Sequence, residues 1–344
     1  ANNNAANNVG GLIGKLDGGG HMLRLSGVTA SGLSGNSASG GLVGYMQKGV
    51  MYLGKDITIH QPGSGGKNGW VLGDRDNTLV YTEEVLLGGG SLPPLSRENR
   101  RALEYFTAQG GLFSVATGRA LPSFAPIAPT LPMNGPTVLF NGAAIYDFAR
   151  GEYLCTAFLP DSIRRDLHAV ELAFPGLAAE IYHDGSQIHT LHPNDLTRNH
   201  MALTHSAATE ADSILQVPMP ISKVLFEETG QRGRDLERYI RSQPWARDFE
   251  IVRSGKFFLE ITAKGATKGA MTQKLASVLG IRAENVCCVG DEANDLTMLS
   301  AAGHAFAPAN AIEAVRRAPG VELLPDCRED ALAALIDRLD GLYA

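Results

Sequence analysis

The stretch Trp70-Val71-Leu72-Gly73-Asp74-Arg75-Asp76-Asn77-Thr78-Leu79 decides how this chain is read. A short apolar run, a glycine and two carboxylates two positions apart describe a buried strand that ends in a charged turn. On an extended segment the two acids can divide labour, one attacking a phosphorus atom while the other moves a proton. Taken alone, Asp-x-Asp more often marks a turn with solvated acids, so its meaning depends on what the rest of the chain sets beside it.

Three further segments also sit where strands should end. Ala116-Thr117-Gly118-Arg119 follows the apolar run 112–115. A hydroxyl and free backbone N–H groups there suit phosphate oxygens, although an ordinary strand-to-helix turn has the same composition. Lys268, in Lys264-Gly265-Ala266-Thr267-Lys268-Gly269, precedes a helical pattern. An ammonium at that point can neutralise both a nucleophilic carboxylate and a transferring phosphoryl group, and Lys264 is the competing candidate. Gly290-Asp291-Glu292-Ala293-Asn294-Asp295 follows the buried strand expected at 285–289. Acids crowded together need a cation to offset their repulsion. A hard cation such as Mg²⁺ suits them, while complementing a helix dipole is the alternative use. Ligands of open α/β sheets bind beyond the carboxyl ends of strands, so the four segments can converge.

The intervening sequence alternates between strand and helix. Residues 96–109 read as a helix with Ser96 as N-cap and Gly110-Gly111 as the stop. Residues 112–116, 138–140 and 305–307 read as strands, 296–301 as a helix, and 330–339 as an amphipathic closing helix. That alternation predicts a parallel sheet covered on both faces. The middle, 143–256, carries more polar strands and two helical stretches at 161–174 and 235–243, and reads as an inserted α+β unit. Residues 1–60 are rich in Gly, Asn and Ser. Gly10-Gly11-Leu12-Ile13-Gly14 returns there as Gly40-Gly41-Leu42-Val43-Gly44. Such spacing suits either stacked β-turn units of a solenoid or a flexible leader. Residues 61–69 read as a linker.

Composition bounds the function. Of 344 residues, 44% are hydrophobic and 19% charged, as in a globular protein, and the net charge of −6 with no dense basic run argues against a nucleic-acid partner. Cys155, Cys287, Cys288 and Cys327 form no Cys-x-x-Cys pair, and the adjacent Cys287 and Cys288 read as small buried hydrophobes. No apolar run of about 20 residues predicts a membrane span. No signal peptide is visible, and a cytoplasmic location is the expectation, with the cell surface as the alternative that the glycine-rich repeats leave open.

In this order and context the four segments resemble the haloacid dehalogenase (HAD) superfamily, in detail its Cof-type phosphatases, from about residue 70 to the C-terminus. Phe140-Asn141-Gly142-Ala143, the run Leu296, Met298, Leu299 after Gly-Asp-x-x-Asn-Asp, and Asn310-Ala311 support the likeness. The glycine-rich pentapeptides resemble GLUG-type repeats of bacterial surface proteins, which are foreign to that family. The resemblance implies a Rossmannoid parallel-sheet core at 70–142 and 257–344 and a type C2 cap at 143–256. It implies Asp74 as nucleophile, Asp76 as proton donor and then base, and Thr117 and Lys268 as holders of the phosphoryl group. It further implies Mg²⁺ bound by Asp74, Asp291 and the backbone carbonyl of Asp76, with Asn294 and Asp295 supporting phosphate and metal. Gly118 and Asn141 would touch a small phosphorylated metabolite such as a sugar phosphate, nucleotide or phosphorylated cofactor. Asn77 stands where the family usually has Gly, and the loop holding Gly88-Gly89-Gly90 and Pro93-Pro94 is longer than the pattern. A non-catalytic surface module and a sugar phosphomutase are the competing functional readings. Oligomeric state is not legible.

Overall fold

The computed structural model describes Asn8–Gly10, Met22–Leu25, Thr29–Ala30, Ala38–Gly40, Val50–Leu53, Thr58–Ile59 and residues 69–343 apart from 83–92, 186 and 255. Gly11–Gly14 and Gly41–Gly44 of the repeated pentapeptides, residues 61–68 of the expected linker and Gly88-Gly89-Gly90 lie outside the described residues. The chain divides into two units, Ala1–Gly66 and Lys67–Ala344. Among the described residues of the first, six short strands form three parallel pairs, with Asn8 opposite Ala38, Met22 opposite Val50 and Thr29 opposite Thr58.

The second unit is built on a five-stranded parallel sheet. Its order is Val321–Leu324, His304–Pro308, Val286–Val289, Trp70–Gly73, Leu112–Val115. Successive residues of these strands point to opposite faces, and both faces are buried. Val71, Cys287 and Val289 pack with Leu103 and Phe106 of helix Arg97–Ala108 and with Leu332, Leu335 and Ile336 of helix Ala331–Tyr343. Trp70, Leu72 and Cys288 pack with Met271 and Leu275 of helix Lys268–Leu279 and with Met298 and Leu299 of helix Leu296–Ala301. The two adjacent cysteines thus serve opposite faces, each as a small apolar filler with a free thiol. Ser96 caps its helix, its hydroxyl accepting from the Asn99 amide. Such a cap stabilises by about 1 kcal/mol.

A three-stranded antiparallel sheet, Glu152–Thr156, Ala144–Asp147, Thr137–Leu139, adjoins the core through a bridge between Ala116 and Val138. A six-stranded sheet forms the inserted unit, in the order Thr209–Ala211, Gln187–Leu191, Ala179–His183, Ile221–Glu227, Phe258–Ala263, Phe249–Arg253. One face, carrying Ala179, Ile181, Val224, Phe226, Leu259 and Ile261, packs on helices Ile163–Ala173 and Gly230–Ser242. The intervening residues, among them Glu180, Tyr182, Lys223, Glu227 and Glu260, occupy the opposite face and are also buried.

The pairing differs from the expected limits of the insertion at both ends. The hairpin at 144–156 pairs with Thr137–Leu139 and so continues the core side. Phe258–Ala263 pairs with both Ile221–Glu227 and Phe249–Arg253 and so belongs to the inserted sheet, beyond the expected boundary at 256. The polar positions of the hairpin suit the composition of the insertion, and the strand at 258–263, with Leu259, Glu260, Ile261 and Thr262 all buried, is covered on both faces as a core strand is. The helix expected at 235–243 begins earlier, at Gly230. Among the described residues no helix is long and apolar enough to cross a membrane.

One close approach positions the site. Gly142 has φ of +109°, and a Cβ there would lie 2.3 Å from the backbone of Thr267, the N-cap of the helix that begins at Lys268. Gly151 has φ of +70° with open space around it. Gly151→Ala should therefore cost only the backbone term, about 1–2 kcal/mol, and Gly142→Ala about 3 kcal/mol or more, strain and overlap together. Urea denaturation of the two variants measures this. Equal losses would contradict the close contact.

Candidate active site

Parallel register brings the strand ends to one level. Gly73 lies opposite Val289 on one side and Val115 on the other. The ladder runs on by one hydrogen bond each way, from the Asp74 amide to the Val289 carbonyl at 2.9 Å and from the Ala116 amide to the Gly73 carbonyl at 3.0 Å. Asp74, Asp291 and Thr117 consequently leave the sheet side by side.

Lys268 enters from the first turn of its helix and is almost fully buried. Its Nζ lies 2.9 Å from Asp74 Oδ1 and 2.6 Å from Asp295 Oδ1. The other oxygen of Asp295, Oδ2, accepts from the amides of Asp291 and Glu292, both at 3.0 Å. Asp295 is therefore the clamp that shapes the 290–295 loop around the lysine. Asp291 Oδ1 accepts from the Thr78 hydroxyl at 2.6 Å. One carboxylate oxygen from each of Asp74, Asp291 and Asp295 falls within 4.8 Å of the others.

Three buried carboxylates cluster beside one ammonium, which touches two of them. Burial, reinforced by Asp295, pushes the Asp74 carboxyl up to about 8 despite Lys268. Burial and the neighbouring Asp74 push Asp291 well above the usual carboxylate range. Burial works against the Lys268 charge, but Asp295 and Asp74 outweigh it and hold the ammonium above its usual value. The donors are all hard oxygens, crowded and short of positive charge. They fit a divalent cation of the Mg²⁺ class.

Asp76 takes another position. Its carboxylate lies 2.5 Å from Arg75 Nη1 and 3.1 Å from both Nε and Nη2 of Arg119. Burial would raise its pKa, but Arg119 and then Arg75 overcome that and hold it well below the usual range. The Asp76 side chain is thus engaged by two guanidinium groups and stands outside the acidic trio, so the metal role expected of Asp76 does not extend to its carboxylate. Arg119 Nη1 is buried and finds no partner among the described residues.

The Asn77 departure has a local explanation. Asn77 has φ of +53°, the left-handed region that glycine favours and asparagine tolerates. Its side-chain oxygen accepts from the Thr82 amide at 2.9 Å, and its carbonyl accepts from Asn310 Nδ2 at 2.7 Å. Asn310 Oδ1 in turn accepts from the Cys327 amide. The turn after Asp76 is held from both sides without a glycine.

Of the remaining expected residues, Gly118 and Asn294 line the cavity, while Thr117 and Asn141 are buried beside them. The Thr117 hydroxyl oxygen accepts from the Arg119 amide, leaving its hydrogen for another acceptor. Asn141, at φ +56°, donates to Glu260 Oε2 at 2.8 Å and accepts from Asn294 Nδ2 at 3.0 Å. Asn294 Oδ1 is buried with no partner among the described residues. The Gly118 carbonyl accepts from Lys223 Nζ at 3.0 Å, and Lys223 also lies 3.0 Å from Glu260. Lys223 and Glu260 belong to the inserted sheet, so these contacts seat it over the strand ends. Between them is a cavity of about 450 Å³ whose lining includes Asp74, Asp76, Arg119, Asp291, Tyr182 and Lys223.

Sequence reasoning placed Asp74, Thr117, Lys268, Asp291, Asn294 and Asp295 in one neighbourhood, and the structure brings them together. Lys264, the competing lysine, is mostly exposed and pairs with Glu250 at 3.4 Å. Arg75, Thr78, Arg119, Lys223 and Glu260 were not singled out. Arg75 alone carried a signal, as a cation set between two acids just after a buried strand.

Comparison with known proteins agrees with this geometry. The haloacid dehalogenase-like hydrolase family matches residues 76–334. A 5-amino-6-(5-phospho-D-ribitylamino)uracil phosphatase of Bacillus subtilis, YwtE, is 26% identical over 79% of this chain and 98% of its own length. YxeH of the same organism is 31% identical over 71% of this chain and 88% of its own. A haloacid dehalogenase-like hydrolase from Bacteroides thetaiotaomicron superposes with a TM-score of 0.66 at 25% identity, covering 79% of this chain and 99% of that one. With this α/β fold and a family match over most of its length, the chain belongs to the haloacid dehalogenase-like hydrolases.

Proposed function

We propose that this chain hydrolyses the phosphomonoester of a small metabolite in a Mg²⁺-dependent reaction that passes through a phosphoaspartate at Asp74. The observation that carries this reading is the Asp74 carboxylate itself. It is buried at a strand end, touched by the Lys268 ammonium, within 4.8 Å of Asp291, and on the wall of a cavity large enough for a small molecule.

Asp74 supplies the attacking oxygen, and Lys268 offsets charge on the carboxylate and on the phosphoryl group. Thr117 offers a hydroxyl hydrogen, and Asn294 an amide, to phosphoryl oxygens. Mg²⁺, held by Asp74, Asp291 and the Asp76 carbonyl, would lower the charge of the phosphoryl oxygens. The phosphoaspartate at Asp74 splits one hard displacement into two easier ones: Asp76 gives a proton to the leaving oxygen as the ester bond breaks, then takes one from the water that displaces Asp74 from phosphorus. In the ligand-free arrangement Asp76 is ionised and held by Arg119 and Arg75. A phosphate dianion competes for Arg119, whose Nη1 still has a donor to give. Loosening the Arg119–Asp76 pair lets Asp76 pick up its proton only when substrate is present. The inserted sheet, seated through Lys223 and Glu260, excludes bulk water and presents Tyr182 and Phe258 to the rest of the substrate. By name YwtE acts on a phosphorylated ribityl-pyrimidine. A sugar phosphate, nucleotide or phosphorylated cofactor is the substrate class this cavity suits.

Three outcomes test the reading. EDTA should abolish turnover of phosphate esters and Mg²⁺ should restore it, and full activity in chelator would contradict the metal. Asp76→Asn should slow sugar-phosphate turnover by ~10²–10⁴-fold, yet with nitrophenyl phosphate release a burst of nitrophenol as the phosphoenzyme accumulates. Parent-like turnover of sugar phosphates by this variant would remove Asp76 from the mechanism. Thr78→Val deletes the hydroxyl that orients Asp291 and should raise the Mg²⁺ concentration for half-activity by ~10–100-fold with little change in activity at saturating metal. An unchanged Mg²⁺ dependence would mean that Thr78 does not position the ligand.

A further inference from the structure

The inserted sheet holds a second cluster of metal-type side chains away from the Asp74 site. Glu180 stands on strand Ala179–His183, Glu227 at the end of Ile221–Glu227, and His200 on helix Asp195–Leu203. Neither Glu180 nor Glu227 has any exposed surface. His200 Nδ1 lies 2.7 Å from Glu180 Oε1 and 3.8 Å from Glu227 Oε1, and the three donor atoms fall within 4.8 Å of one another. The Tyr182 hydroxyl donates to Glu180 Oε2 at 2.5 Å, fixing that carboxylate. Glu227 is different: both its oxygens are buried and have no hydrogen-bond partner among the described residues.

An unpartnered carboxylate in a protein interior is costly unless it is protonated or meets a cation. Lys223, the nearest buried ammonium, is committed to Glu260 and to the Gly118 carbonyl. Burial and the adjacent Glu180 push Glu227 up to about 8, and His200 offsets only part of that. We propose that Glu180, His200 and Glu227 form a divalent-cation site in the inserted sheet, one that prefers a borderline metal such as Zn²⁺ to Mg²⁺. Zn²⁺ takes both imidazole nitrogen and carboxylate oxygen, whereas Mg²⁺ prefers oxygen alone. Donors bonded to one tetrahedral zinc at about 2.0–2.2 Å lie about 3.3–3.6 Å apart, a spacing bracketed by the 2.7 Å and 3.8 Å that separate His200 Nδ1 from Glu180 and Glu227. The cation replaces the proton between His200 and Glu180 and neutralises both glutamates. It also ties two strands and a helix together behind Tyr182 and His200, which line the cavity. Because His200 borders that cavity, water or substrate can supply a further ligand.

The test uses the full chain with Zn²⁺ as the probe, titrated calorimetrically in the presence of excess Mg²⁺. The proposal expects about one equivalent of Zn²⁺ to bind to the parent and to Asp291→Asn, with affinity falling by more than ~100-fold in Glu227→Gln and in Glu180→Gln. Glu227→Gln copies the shape of the protonated acid, so circular dichroism should show an intact fold. X-ray absorption of the zinc-loaded parent should give one imidazole and carboxylate oxygens at about 2.0–2.2 Å, and this readout stands even if a variant misfolds. Absence of zinc uptake, uptake indifferent to both glutamate substitutions, uptake lost in Asp291→Asn, or an absorption spectrum without imidazole would each overturn the proposal.

Discussion

The Lys268 ammonium, enclosed between Asp74 and Asp295, holds the catalytic region in its observed form. It ties the end of one central strand to the loop after its neighbour, and Asp295 passes the constraint on to the amides of Asp291 and Glu292. Removing one member of such a buried set leaves an uncompensated charge, typically a loss of about 3–5 kcal/mol. The arrangement stabilises the loop only because each partner is present, and it still leaves more negative than positive charge. On the proposed function, a bound cation would offset that residual imbalance before a phosphate dianion approached the two aspartates.

The same physical problem recurs in the inserted sheet, with another solution. Its outer face is apolar and meets two helices, while its inner face carries Glu180, Lys223, Glu227 and Glu260 in near-complete burial. Lys223 and Glu260 satisfy one another and reach the core through Gly118 and Asn141. Contacts of this kind form only when the insertion sits over the strand ends. The seating of the insertion is therefore linked to Asn141 and Asn294, since Asn141 donates to Glu260 and accepts from Asn294.

Legibility in the sequence followed distance along the chain. Asp74, Thr117 and Asp291 could be found because each directly follows an apolar run, and parallel strands of matched register bring such positions together. Lys268 stood out through its place before a helix. Partners separated by long intervals could not be read. Thr78 reaches Asp291 across 213 positions and Asn310 reaches Asn77 across 233, and no local pattern marks either. The role expected of Asp76 was visible, but its capture by Arg119 depends on side-chain direction in two turns. The far limit of the insertion was missed because a strand buried on two faces looks the same in either sheet, and the near limit because the half-exposed hairpin at 144–156 has the insertion's polar composition. Glu180, His200 and Glu227 sit on three separate elements, and nothing in their spacing draws attention to them.

The most direct test of the account is the identity of the residue that carries phosphate. Enzyme quenched during turnover and reduced with labelled borohydride converts an aspartyl-phosphate to homoserine. Peptide mapping of that product should place the label at position 74. Label at Asp76, Asp291 or any other residue, or its absence from an enzyme that is turning over, would contradict the assignment of Asp74 as the nucleophile.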